Sequence, residues 1–158
     1  MGGGSSSYSG PSSRSTEESE RIFRNVVDEK QRKLRNVFIS FKVEDESQVN
    51  LLRHQAHEGL GVEFRDYSVK EPFDEKWKTN CRERMAQTSA VIVFVGRDTS
   101  KSEPVKWEIE EAYRQGKKVI AVRIHRDEDN PLPEPLVAHK TRVINWDNSE
   151  ISRFLEEP

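Results

Sequence analysis

A run of six apolar residues at positions 90–95, Ala-Val-Ile-Val-Phe-Val, limits the folds open to this chain more than any other feature. Most of these side chains are β-branched, which favours an extended strand. A strand whose side chains are apolar on both faces is buried on both, as in parallel sheets that helices cover from both sides. The run therefore predicts the central strand of an α/β domain.

Shorter apolar runs flank this strand, and segments with helical spacing of apolar residues lie between them. The predicted strands are 37–41, 62–64, 90–95, 119–124 and 142–144. The predicted helices are 45–58, 74–87, one that begins after Ser102 and ends at Gly116, and a short last one at 149–155, while 125–136 is predicted to be a polar loop. Alternating strands and helices indicate right-handed βαβ units. We predict a flavodoxin-like three-layer α/β sandwich with a parallel five-stranded sheet in the order 2-1-3-4-5.

The first 35 residues differ in composition from the rest. Residues 1–20 are mostly Gly, Ser, Thr, Glu and Arg, with too few apolar groups to offset the entropy of ordering, so a disordered tail is predicted. In residues 21–35 apolar side chains recur at helical spacing, which predicts an amphipathic helix that docks on the domain or on a partner. The α/β domain then occupies residues 36–158.

Charge and cysteine content exclude several classes of protein. The formal net charge of −2 offers no basic excess for nucleic acid, and the single cysteine, Cys81, excludes an internal disulfide framework. No segment approaches the roughly 20 apolar residues that a membrane-spanning helix needs. His54 and His57 share a helix face, but no third metal ligand accompanies them. We therefore expect a cytoplasmic protein without a metal, a membrane or a nucleic-acid partner.

The sheet topology predicts where a ligand binds. In open α/β sheets the binding crevice lies at the carboxyl ends of the strands, where the strand order reverses, here between the first and third strands. Ser40, Phe41 and Asp45 follow the first strand, and the loop 96–102 follows the third. The chain has neither G-x-x-x-x-G-K-[ST] nor G-x-G-x-x-G, so kinase and dehydrogenase phosphate loops are missing.

Glu108 is a candidate functional carboxylate on the third predicted helix. Val105, Ile109, Ala112 and Tyr113 form the core stripe of that helix, and Glu108 lies beside the stripe, near the helix start. This position faces the predicted crevice. Position alone favours a solvated structural glutamate, because structural carboxylates outnumber catalytic ones.

Four segments together carry a resemblance to TIR domains. They are the strand Val37–Phe41 with Glu44 and Asp45 after it, the tetrapeptide 65–68, the segment 102–109 and the segment 116–122. In order and spacing they resemble the TIR-like proteins of bacterial Thoeris anti-phage systems (ThsB-like) over roughly residues 36–146.

The resemblance implies an enzyme with NAD as its substrate and no separate cofactor. Such relatives cleave the nicotinamide–ribose bond and make a cyclic or conjugated ADP-ribose signal, which reaches a separate effector by diffusion. Self-association through TIR surfaces and a phage-derived trigger are implied as well. By position Glu108 would be the catalytic glutamate. The residues that would contact NAD are Ser40, Phe41, Asp45, Ser68, Trp107 and Arg123.

Two positions depart from the family pattern, and other functions stay open. Many relatives carry tryptophan where this chain has Pro104, and some carry histidine where it has Arg123. The main alternative is a non-catalytic TIR-type interaction module that uses the 65–73 loop and the 20–35 helix. A nucleoside deoxyribosyltransferase would also place a glutamate on an N-ribosyl bond. A phosphoryl-receiver domain needs clustered acids directly after the first strand and an Asp at the end of the third. It is rejected, because Lys42-Val43 and Gly96-Arg97 stand there.

Overall fold

The computed structural model describes residues 16–25, 36–60, 64–66 and 72–157. The chain divides into two units, residues 1–32 and 33–158. In the first unit, helix α1 covers residues 16–25, and its Glu20 and Arg24 side chains form an exposed ion pair at 4.0 Å. The helix thus begins inside the segment predicted to be disordered, because acidic residues in its first turn suit the positive end of the helix dipole. The remainder of the predicted amphipathic helix, residues 26–35, lies outside the described residues, and its docking stays a prediction.

The second unit alternates strands and helices along the chain. Its strands are β1 Val37–Ser40, β2 Phe64–Asp66, β3 Ala90–Val95, β4 Lys118–Arg123 and β5 Val143–Asn145. Its helices are α2 Glu46–Leu60, α3 Glu75–Ala86, α4 Glu103–Arg114, α5 Glu134–Ala138 and α6 Asn148–Glu156. Neighbouring strands pair in parallel, in the order β2-β1-β3-β4-β5. The predicted α/β class, with a parallel sheet and helices, is confirmed.

Two hydrophobic clusters lie on opposite faces of the sheet. Val37 and Ile39 of β1 pack with residues of α2 and α6 on one face. Phe38 packs with residues of α3, α4 and α5 on the other, which we call the α4 face. The alternation follows from the pleat of a strand, which sends successive side chains to opposite sides. Both faces of β3 are buried, as its apolar sequence predicts.

Several boundaries differ from the sequence prediction. The segment 125–136, predicted to be a loop, ends inside the short helix α5, which starts at Glu134. Proline fits the first turn of a helix, and Pro135 occupies that place. Of the predicted strand 62–64, Phe64 lies in β2 opposite Val37 of β1, and residues 62 and 63 lie outside the described residues.

Helix α4 begins and ends where its sequence predicts. The Ser102 hydroxyl accepts a hydrogen bond from the Val105 amide at 3.3 Å, and Pro104 lies in the first turn. Gly116 follows the helix with φ of +70°, a left-handed conformation that costs glycine little. No helix in the described parts of the chain is both long and apolar enough to cross a membrane.

Lys118 fastens the end of α6 to the sheet. Its Nζ donates hydrogen bonds to the carbonyl oxygens of Phe154, Leu155 and Glu157, at 2.8, 2.9 and 2.6 Å. A cation is favoured at this end of a helix, where carbonyl groups lack partners within the helix.

We expect Lys118→Met to lower the free energy of unfolding by about 1–3 kcal/mol, because hydrogen bonds from a charged donor are lost. Urea titration measures the change. Lys101→Met is the matched control, since the Lys101 side chain is 78% exposed and pairs only with the exposed Asp98. Equal midpoints for both variants would contradict the assignment.

Candidate functional site

The loops after β1 and β3 meet at the point where the strand order reverses. The Gly96 amide donates a hydrogen bond to Thr99 Oγ1 at 2.7 Å, and the Thr99 hydroxyl lies 3.5 Å from Asp45 Oδ2. The Asp45 carboxylate lies directly against the Cα of Gly96, so that a Cβ at position 96 would be 2.7 Å from its Cγ. The structure therefore brings together three residues that the sequence places in two separate loops.

The Asp45 carboxyl group is unusual in its electrostatics. Burial raises its pKa, and the nearby His125 and the hydrogen bond from Thr99 offset that effect only in part. The carboxylate makes one long side-chain hydrogen bond in the part of the chain that the structure describes. Its remaining acceptor capacity is suited to a ligand that donates hydrogen bonds, such as a ribose hydroxyl.

An ion pair joins the loop after β3 to the loop after β4. Arg97 Nε and Nη2 donate to the two carboxylate oxygens of Glu128 at 2.7 and 2.8 Å, which lowers the pKa of Glu128. His125 Nδ1 lies 3.8 Å from the same carboxylate. Because Arg97 is largely exposed, the pair orients the loop more than it stabilises the fold.

Glu108 lies in a buried layer between the sheet and the helices. It is 4% exposed, and its neighbours Val105 and Ile109 belong to the apolar cluster on the α4 face. Burial, together with the charges of Glu108 and Glu111, raises the pKa of the Cys81 thiol on α3. The sequence predicts a carboxylate at the edge of the core stripe, and the structure places it deeper, so Glu108 is not a solvated surface residue.

Ser40, at the end of β1, is also buried. It is 1% exposed, and its Oγ has no hydrogen-bond partner within the described residues. It lies two residues after Phe38, so its side chain points to the α4 face. Ser40 and Glu108 therefore share one face of the sheet.

Phe41, Trp107 and Ser68 were also predicted to contact the ligand. Phe41 is 6% exposed and packs in the cluster on the opposite face, so the structure does not bring it to Glu108. Trp107 packs edge-on against Trp77 at 5.4 Å, with Arg82 5.3 Å from its ring, and lines a surface cleft of about 440 Å³. Ser68 lies outside the described residues.

Arg123 is held by the loop that follows it. Its Nη2 lies 3.1 Å from Asp129 Oδ1, and its Nη1 donates to the Asn130 carbonyl at 2.9 Å. A phosphate bound by Arg123 would have to compete with both contacts. His54 pairs with Glu58 on α2 at 3.3 Å, and the described residues include no group of three potential metal ligands.

The sequence analysis missed a buried carboxylate network on α4. Glu111 is 4% exposed and accepts from Arg114 Nε at 2.7 Å, from Arg114 Nη2 and from Gln115 Nε2 at 2.9 Å. Burial raises the pKa of Glu111, but these donors outweigh it, so the pKa is lowered overall. The signal was present in the sequence as a Glu with Arg and Gln three and four residues later.

The sign of the Glu111 shift gives a pH prediction. A carboxylate whose folded pKa lies below its unfolded value stabilises the fold above the unfolded pKa and loses that contribution as pH falls through the folded pKa. Glu111→Gln should therefore cost about 1 kcal/mol of unfolding free energy at pH 7 and less at pH 3. Urea titrations at both pH values measure this, with Glu110→Gln as the exposed control. A cost that does not shrink in acid would contradict the network.

One family model and two solved structures are similar to this chain. The family model described as "Thoeris protein ThsB, TIR-like domain" matches residues 38–129. The TIR domains of the activated Roq1 resistosome directly recognizing the pathogen effector XopQ share 17% identity at a TM-score of 0.42, over 56% of each chain. The Clostridium botulinum CMP N-glycosidase BcmB shares 18% identity at a TM-score of 0.48, over 77% of this chain and 99% of that one.

No curated protein matches the chain. The chain spans little more than half of the Roq1 structure that it matches. The ThsB family model, by contrast, covers more than half of the 158 residues, and its range contains β1 from Phe38 onward, α4 and Glu108. The chain therefore belongs to the TIR-like domain family of the Thoeris protein ThsB.

Proposed function

We propose that this chain is an NAD-consuming enzyme that cleaves the nicotinamide–ribose bond and makes an ADP-ribose-derived signal, cyclic or conjugated, in bacterial anti-phage defence. The observation that carries the proposal is the buried Glu108 on α4, between Val105 and Ile109 of the apolar cluster on the α4 face. Membership of the ThsB TIR-like family supports it. NAD is the substrate in this proposal, and no separate cofactor is needed.

The proposed reaction breaks the bond between ribose C1′ and the nicotinamide ring nitrogen. The bonding electron pair leaves with nicotinamide, which thereby becomes neutral, and the ribose becomes an oxocarbenium-like cation. An internal nucleophile of the substrate, a second acceptor or water then attacks C1′ and gives up a proton. Because nicotinamide leaves without protonation, one carboxylate is sufficient, and a general acid is not required.

Glu108 would stabilise the positive charge on the ribose. A fixed carboxylate in a layer without water interacts more strongly with a developing charge than it would in solvent. Asp45, at the mouth of the crevice, would bind a ribose hydroxyl, and Trp107 would pack on a ring of the substrate. Ser68 and Arg123 remain proposed contacts to ribose or phosphate, with Arg123 released from Asp129 first.

The biological setting is part of the same proposal. We propose that a phage-derived trigger promotes self-association through TIR surfaces in the cytoplasm, and that the diffusible product activates a separate effector. Neither a membrane nor nucleic acid takes part.

Nicotinamide release tests the proposal. The 158-residue chain is incubated with NAD, with and without a lysate of phage-infected cells as the source of trigger, and nicotinamide and nucleotide products are quantified by mass spectrometry. We expect equimolar nicotinamide and an ADP-ribose-derived product in the triggered sample. No release under any condition that assembles the protein would overturn the enzyme assignment.

A non-catalytic interaction module is the second candidate. Ile22 and Phe23 on α1 are 59% and 70% exposed, and such apolar side chains suit a contact with a protein partner. This function predicts that Ile22→Ser with Phe23→Ser weakens self-association, while Glu108→Gln has no phenotype. If the chain is an enzyme, Glu108→Gln lowers signal production more than the Ile22→Ser, Phe23→Ser double variant does.

A further inference from the structure

The end of β1 carries a buried hydroxyl whose place in the fold is well defined. Ser40 pairs in register with Val93 of β3, and Val93 and Phe38 both belong to the apolar cluster on the α4 face. The side chain therefore lies between the sheet and its helices, with 1% of the residue exposed. Its Oγ finds no partner among the described residues.

An unpaired hydroxyl in such a place is costly. Buried polar groups in folded proteins nearly always have a partner, since desolvation is otherwise not offset. Alanine would fill almost the same space on this strand without that cost. A buried serine that costs the free protein stability makes sense if a ligand supplies the missing hydrogen-bond partner.

The buried carboxylate of α4 restricts what that ligand group can be. Glu108 is 4% exposed, its helix neighbours Val105 and Ile109 belong to the cluster on the α4 face, and α4 contacts β1. A phosphate oxygen near it would be repelled, because both groups are anionic. A carboxylate accepts hydrogen bonds only, whereas a serine hydroxyl both donates and accepts. A ligand hydroxyl can donate to the carboxylate and accept from the serine with the same oxygen.

We propose that the Ser40 hydroxyl binds the 2′-hydroxyl of the nicotinamide ribose, and that this contact makes the site selective for ribonucleotides over 2′-deoxyribonucleotides. The inference rests on the proposed function, since it takes NAD as the ligand. It assigns Ser40 a direct contact with the substrate. The substrate of a deoxyribosyltransferase, by contrast, has no 2′-hydroxyl for the enzyme to bind.

The test measures binding of two probes, NAD and its analogue without the 2′-hydroxyl on the nicotinamide ribose. Wild type should bind NAD about 10-fold more tightly than the analogue, as one hydrogen bond in a buried site predicts. Ser40→Ala should weaken NAD binding by about 10-fold and leave analogue binding unchanged. Ser47→Ala, an exposed serine on α2, is the matched control and should bind both probes as wild type does.

The melting temperature of the free protein provides a second readout. Removal of an unpaired buried hydroxyl should raise it by a few degrees in Ser40→Ala. A serine that served packing alone would give a lower melting temperature and unchanged NAD affinity. Ser40→Cys, which keeps the volume but donates weakly, repeats the binding test if the alanine variant does not fold.

The outcomes separate this inference from the proposed function. Unchanged NAD affinity in Ser40→Ala, or an equal loss for NAD and the analogue, would overturn the contact to the 2′-hydroxyl. NAD that binds without releasing nicotinamide in the assembled protein would overturn the enzyme but not the contact. A wild-type chain that binds neither probe would overturn both.

Discussion

Glu108→Gln is expected to reduce nicotinamide release from NAD by at least about 10²–10³-fold, the usual effect of removing one electrostatic stabiliser of a transition state. Glutamine keeps the shape of the side chain and its hydrogen-bonding oxygen but removes the negative charge. Glu108 is 4% exposed, so water would not replace the missing charge at the ribose. NAD binding should change much less than the rate, since the charge on the ribose develops only as nicotinamide leaves.

The matched control for this variant lies two residues away on the same helix. Glu110→Gln removes an equal charge from an exposed position and should keep wild-type activity. Single-turnover nicotinamide release gives the rate of cleavage by each variant. The affinity for NAD is measured separately. Both variants are compared in the assembled state, because the proposed function includes self-association. Full activity of Glu108→Gln, or an equal loss in both variants, would remove Glu108 from the mechanism.

The elements that could be predicted are those whose signals are local. The apolar run of β3 gave its bounds correctly, and Ser102 with Pro104 marked the start of α4. Strand β2 was predicted to end at residue 64 but extends to Asp66, because its end depends on pairing with β1. The helix α5 was missed, because a helix of five residues leaves almost no periodic pattern.

The predicted contact residues, too, could be placed only as far as local sequence patterns allow. Ser40 and Phe41 are adjacent on a strand, so their side chains point to opposite faces, and both were nevertheless expected in one pocket. The alternation rule alone would have separated them. The depth of Glu108 and the burial of Ser40, whose Oγ has no partner among the described residues, depend on how α4 packs on the sheet, which no local pattern encodes.

Gly96→Ala is expected to lower the free energy of unfolding by about 1–3 kcal/mol, as overpacking of a well-packed site usually does. The new methyl group would lie 2.7 Å from Cγ and Oδ1 of Asp45, and closer still to Oδ2. The carboxylate would have to move away and would lose its contact with Thr99. Because this contact joins the loops after β1 and β3, NAD cleavage should fall as well.

A double-mutant cycle isolates the clash as the cause. Asp45→Ala removes the carboxylate, so in that background Gly96→Ala should cost less than about half of its value in the wild type. Gly59→Ala on α2 is the matched control, since its Cβ would meet only Asn148 Nδ2, at 2.9 Å, which is the end of a flexible side chain. That change should be neutral or stabilising, because alanine favours a helix over glycine. Urea titration of the four cycle members measures the coupling. Equal costs of Gly96→Ala in both backgrounds would mean that the glycine is required for the backbone alone, and that Asp45 does not hold the two loops together.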